Sequence, residues 1–156
     1  MKNLNQEIIS ELNGILPCKT RFLRKACRKQ TFGHCVPSFG NVIYLRLKMA
    51  KFEYLEVTWV HEWMHLYHAS LDPRYKYSKM QKRPPTSNPP KDVGCAHYNQ
   101  MEEECEAFAL LMVGQSKDYD LEDPATKLWL CKMWFAFWDK YPALRPTLLA
   151  HGPLAL

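Results

Sequence analysis

The chain has no hydrophobic run long enough to cross a bilayer. Its longest apolar stretch, residues 128–138, is broken by Lys132 and covers about half of the ~20 residues a helical crossing needs. An apolar leader is missing too: Met1-Lys2-Asn3-Leu4-Asn5-Gln6-Glu7 holds no signal-peptide core, so a cytoplasmic protein with no membrane partner is expected. The cysteines at 18, 27, 35, 95, 105 and 131 contain no C-x-x-C pair, which argues against a structural zinc finger. In the cytosol they are expected to be reduced. Cys35 and Cys95 with His34 or His97 leave a second metal conceivable, as the less favoured reading. There are no internal repeats. Acidic residues are the minority, 16 against 21 Lys and Arg, for a formal charge of +5. The surplus gathers in Lys19, Arg21, Arg24, Lys25, Arg28 and Lys29, and again over residues 74–91. Such runs can touch nucleic acid or an acidic partner, although a solvated face is the commoner explanation.

What is present fits one globular domain over residues 1–156. A hydrophobic share of 47% is enough for a core, and the length suits one core rather than two. The pattern predicts a mixed α+β chain. An amphipathic helix is expected over 3–13 and a basic, weakly alternating strand over 18–31, followed by turn chemistry at Gly33 and at Pro37-Ser38-Phe39-Gly40-Asn41. A strand over 42–49 alternates Ile43, Leu45, Leu47 and Met49 with Val42, Tyr44, Arg46 and Lys48, and could serve as an exposed edge for an extended peptide. Helices are expected over 53–70 and 99–113. A third, aromatic helix starts from Asp123 as N-cap with Pro124 in its first turn. The tail after Pro142 reads as a short packed turn or helix. Between the first two of these helices, residues 72–96 form a Pro-rich basic insertion, expected to be mobile and to border a cleft.

The chemistry concentrates at His61-Glu62-Trp63-Met64-His65, which spells H-E-x-x-H. On a helix the two histidines lie one turn apart on one face, so both imidazoles can reach a single zinc ion. Glu62 then sits beside them as a general base. Val57, Val60 and Met64 form one apolar stripe, and Leu55, Trp59 and Leu66 another. A helix apolar on two sides is buried, and buried imidazoles and carboxylates need a partner that a metal can supply.

A catalytic zinc usually takes three protein ligands. The candidates for the third are Glu102, Glu103, Glu104, Glu106, His97 and His68. If Met101, Cys105, Phe108 and Met112 mark the core face, Glu104 lies about 60° from its centre and Glu103 nearly opposite. A carboxylate at the border of a buried face suits a ligand, which favours Glu104. His68, one turn beyond His65, reads as a supporting or cleft residue.

H-E-x-x-H followed by Glu102-Glu103-Glu104-Cys105-Glu106-Ala107-Phe108-Ala109 resembles the ImmA/IrrE metallopeptidases of bacteria, phages and mobile elements, whose second motif is E-x-E-A-x-x-F-A. The likeness covers residues 40–114. It implies a small zincin-like (gluzincin-like) domain with a short antiparallel sheet beside the H-E-x-x-H helix and helices after it. It also implies zinc held by His61, His65 and Glu104, a catalytic Glu62, and a protein substrate such as a DNA-binding regulator. The chain departs from the family at Cys105, at Glu106, at Met64, and in the long spacing of 39 from His65 to Glu104. Gly33-His34-Cys35 and a histidine ahead of the later helix are similar instead to SprT-like proteases, which would make His97 the third ligand. Two functions stay open: a zinc endopeptidase, or a non-catalytic, metal-stabilised binding module that grips a host protein or nucleic acid. A base at Glu62 favours the enzyme, because a purely structural site has no use for one.

Overall fold

The computed structural model describes residues 6–23, 33–37, 40–46, 52–91, 93–113 and 121–151. Over these the chain is mixed α+β and mostly helical. The elements are α1 (Gln6–Ile15), β1 (Lys19–Leu23), β2 (Gly33–Val36), β3 (Val42–Arg46), α2 (Phe52–Leu71), α3 (Lys79–Lys82), α4 (Gln100–Val113), α5 (Pro124–Lys140) and α6 (Arg145–His151). The basic run from Arg24 to Lys29, and Leu47 and Met49 of the expected strand, lie outside the described residues. By packing, the chain divides into two compact units, Met1–Tyr75 and Lys76–Leu156. No described helix is long and apolar enough to cross a membrane.

In the first unit the sheet runs in the order β1-β3-β2. β3 pairs in parallel with β1 (Lys19↔Val42 to Leu23↔Arg46) and antiparallel with β2 (Gly33↔Leu45 to Val36↔Val42). The sheet is therefore mixed, not the antiparallel one expected. β3 is its centre, so it cannot be the exposed edge. Having a neighbour on each side also explains why Val42, Ile43, Leu45 and even Arg46 are buried, where simple alternation predicted a polar face. The β2–β3 hairpin turns at Gly40 and Asn41, both with positive φ (79° and 55°), a backbone region that glycine and asparagine tolerate best.

α2 covers the predicted helix almost to the residue. Two tryptophans one turn apart bind it to the rest of its unit. Trp59 Nε1 donates to Thr20 Oγ1 on β1 (2.8 Å), and Trp63 Nε1 donates to the Leu16 carbonyl just after α1 (3.1 Å). Both rings are fully buried, so each indole adds apolar burial while its one polar atom stays satisfied. β2 presses close to the same helix. A Cβ at Gly33 would stand 2.8 Å from Thr58 Cγ2 and 2.8 Å from the Tyr44 carbonyl oxygen, so this approach requires glycine.

The second unit is built around α4. Asn99 Oδ1 accepts from Glu102 N (2.9 Å) to cap the helix, and the Phe108 ring meets Phe137 of α5 edge-on at 5.8 Å. Asp123 caps α5 as expected, its carboxylate accepting from Thr126 N at 3.0 Å. The described residues of 72–96 are not a bare loop. They contain α3 and two 3₁₀ turns, Tyr75–Tyr77 and Gly94–His97, and they bury Val93 and Ala96. The Thr86–Ser87 part is held by Glu103, which helix geometry had pointed away from the core face. It is 0% exposed. Its carboxylate accepts from Thr86 N (2.9 Å), Thr86 Oγ1 (3.1 Å), Ser87 N (3.2 Å) and Trp129 Nε1 (3.2 Å). One buried acid thus organises a segment that lacks an apolar core of its own. Glu103→Ala strands those donors, and chemical denaturation should show a loss of about 3 kcal/mol. A loss below 1 kcal/mol would remove Glu103 from this role.

Candidate metal centre

Along α2, every residue from Leu55 to His68 is buried except Glu56, Thr58 and Glu62. Thr58 and Glu62 lie one turn apart, so this otherwise enclosed helix opens along a narrow stripe that carries the proposed base.

His61 and His65 are 7% and 8% exposed, and their Nε2 atoms face each other at 3.1 Å. Two nitrogens bound tetrahedrally to zinc at their usual distance lie about 3.3 Å apart, so the observed spacing is close to what one shared cation requires. The fit also extends outward. Tyr75 Oη lies 2.5 Å from His65 Nδ1. A neutral His65 that keeps its Nε2 lone pair for a metal carries its proton on Nδ1, and that N–H then donates to Tyr75. This is the arrangement that fixes tautomer and ring orientation in metal-binding histidines. Tyr75 was not singled out in the sequence, because a tyrosine ten positions on, inside a Pro-rich stretch, has no spacing signature. His68 is buried on the same helix at 4% exposure.

Within the second unit the four glutamates of α4 divide their tasks. Glu103 is committed to Thr86, Ser87 and Trp129. Glu104 is buried, with Tyr141 Oη donating to Oε1 at 2.6 Å and Lys140 Nζ donating to Oε2 at 3.0 Å. Glu102 accepts from Cys95 Sγ at 3.2 Å, and a Glu106 carboxylate oxygen lies within 4.8 Å of the same thiol. The described residues therefore include buried His, Cys and Glu groups able to hold a metal ion. No close group of three ligands among the described residues contains Glu104, His34, Cys35 or His97. The Nε2 atom of His97 instead contacts the Pro90 carbonyl at 2.5 Å. No described cysteine forms a disulfide. Burial pushes the Cys18 thiol up to about 12, and it donates to Asn13 Oδ1 at 3.1 Å, which takes it out of thiolate chemistry.

No family model, curated protein or solved structure matches the chain.

Tyr75→Phe removes only the oxygen beside His65 Nδ1. If that oxygen orients a ligand, zinc affinity should fall about 10- to 100-fold in a competitive chelator titration. Unchanged affinity would leave Tyr75 as a packing residue.

Proposed function

We propose that the chain is a zinc-dependent endopeptidase of the kind its two motifs resemble, acting on a cytosolic protein such as a DNA-binding regulator. The observation that carries this reading is the pair of buried, facing Nε2 atoms of His61 and His65, with Glu62 on the one open stripe of the same helix. Glu104 is proposed as the third ligand. Its contacts with Tyr141 and Lys140 are the kind that hold a ligating carboxylate in place, although the Lys140 charge competes with a metal for Oε2. Glu106 is the rival within α4.

A zinc ion held by these residues supplies positive charge that acidifies water and polarises a carbonyl. Glu62 takes a proton from the attacking water as its oxygen bonds to the carbonyl carbon. The carbon–nitrogen bond then breaks, and Glu62 delivers the proton to the leaving nitrogen. Among the described residues no strand pairs with the outer side of β1 or of β2, so one of these edges, rather than β3, is where an extended substrate could add.

A non-catalytic binding module has one observation in its favour. Leu128 and Phe135, two turns apart on α5, are 58% and 62% exposed, a surface suited to a protein partner. Glu62→Gln separates the two functions. The peptidase reading predicts retained zinc and fold with proteolysis of a randomised peptide library reduced by about three orders of magnitude or more. Undiminished cleavage would refute the mechanism. Metal analysis of Glu104→Ala, Glu106→Ala and His97→Ala should show zinc greatly weakened in the first alone. Loss only in His97→Ala would transfer the site to the SprT-like arrangement, and loss only in Glu106→Ala would move the ligand two positions along α4.

A further inference from the structure

Polar groups on the sheet face away from α2 are occupied with one another. Arg46 Nη2 lies 3.0 Å from His34 Nδ1, and the imidazole stacks on Tyr44 with ring centroids 4.7 Å apart. The demand left unmet is apolar, and it lies on α5.

Thr126, Trp129, Leu130, Met133 and Phe137 fall together around this helix and form its buried side. The opposite side carries Leu128, Lys132, Phe135 and Asp139 within a sector of about 60°. Leu128 and Phe135 are 58% and 62% exposed, and Lys132 and Asp139 are exposed as well. Half-buried Cys131 and Trp138 border the face. Leu128, Cys131, Phe135 and Trp138 thus follow one another at the alternating three- and four-residue spacing of a coiled-coil seam. The Trp138 ring stacks on Trp134 (centroids 5.2 Å apart) and lies under the Arg145 guanidinium at 5.1 Å. That border is therefore ordered before anything docks, which lowers the entropy cost of docking.

The charges of α5 decide what fits. Lys127 pairs with Glu122 at 2.8 Å and Lys140 with Glu104 at 3.0 Å, both within the chain. Lys132 and Asp139 are the charges of the exposed face, and they stand two turns apart. Two copies of the helix laid antiparallel, about a two-fold axis between Phe135 and Ala136, bring Lys132 of each copy opposite Asp139 of the other. The same axis sets each Phe135 ring against the small, exposed Ala136 of the second copy. Laid parallel, the helices would oppose Lys132 to Lys132 and Asp139 to Asp139. A two-fold interface requires this kind of self-complementarity, and opposite charges beside an apolar seam set its orientation.

We propose that the exposed face of α5 is a self-association surface. A second copy of the chain docks its own α5 there in antiparallel fashion, and two reciprocal Lys132–Asp139 pairs close over Leu128 and Phe135. This gives to a second copy the surface that would otherwise speak for a host partner, and it holds whether or not the chain is a peptidase. A helix about 25 Å long covers less than the roughly 1,600 Å² of a standard interface, so a dimer of micromolar affinity is expected.

The test is sedimentation equilibrium on the full chain. Between about 1 and 100 µM the wild type should pass from monomer to dimer. Phe135→Glu should raise the dissociation constant about 30-fold or more, the size of a central interface anchor, with the circular dichroism of the monomer unchanged. Lys132→Glu and Asp139→Lys each place like charges opposite one another twice per dimer, and each should weaken it about tenfold or more. The double variant Lys132→Glu/Asp139→Lys restores opposite signs and should return to within about threefold of the wild type. Wild-type protein that stays monomeric at about 100 µM overturns the proposal, whether the face then captures another protein or none. A dimer indifferent to Phe135→Glu places the contact elsewhere and overturns it as well. Single charge variants that dimerise like the wild type, or a double variant that fails to recover, overturn the antiparallel pairing.

Discussion

Two imidazoles buried on one face of one helix set the terms for the first unit. Unbound, His61 and His65 can satisfy each other through a single Nε2 contact, in which one nitrogen must carry a proton. Bound to a cation, both offer lone pairs and the cost of enclosing them is offset. The rest of α2 fits that demand. Trp59 and Trp63 bind the helix to β1 and to the end of α1, Tyr75 addresses the far nitrogen of His65, and only Thr58 and Glu62 interrupt the burial of its middle turns. The helix is therefore a rigid support, not an amphipathic surface element, and a site on such a support holds its geometry well.

The second unit solves a different problem with the same economy. Four carboxylates in five positions would repel one another on an open helix. Here three of them point to separate donors, Glu103 to the Thr86–Ser87 backbone, Glu104 to Tyr141 and Lys140, and Glu102 to Cys95. Enclosing them gives residues 72–96 something to fold on, which a stretch rich in proline and lysine could not supply from its own side chains.

Much of this was legible in the sequence where local chemistry decides. The H-E-x-x-H spacing, Asp123 as a cap followed by Pro124, and the turn at Gly40-Asn41 each act over a few residues; α2 and α4 begin and end, and α5 begins, close to where the sequence puts them. What could not be read depends on long-range partners. β3 was taken for an edge because alternation cannot reveal that β1 returns to pair beside it in parallel. Glu103 was turned outward because a single core face was assumed for a helix that is buried all round. Tyr75 and the His34–Arg46 contact arise from folding across ten or more positions, beyond any motif. The candidate site divides in the same way: His61, Glu62 and His65 follow from spacing alone, while the third ligand depends on which carboxylate its neighbours leave suited to a metal.

That question is answered most directly by X-ray absorption at the zinc edge on protein loaded with one equivalent of zinc. Two imidazoles and a carboxylate predict a first shell of nitrogen and oxygen at about 2.0–2.1 Å, with imidazole multiple scattering and no sulfur. A sulfur shell at about 2.3 Å would mean that a cysteine holds the metal, and would contradict the proposed ligand set.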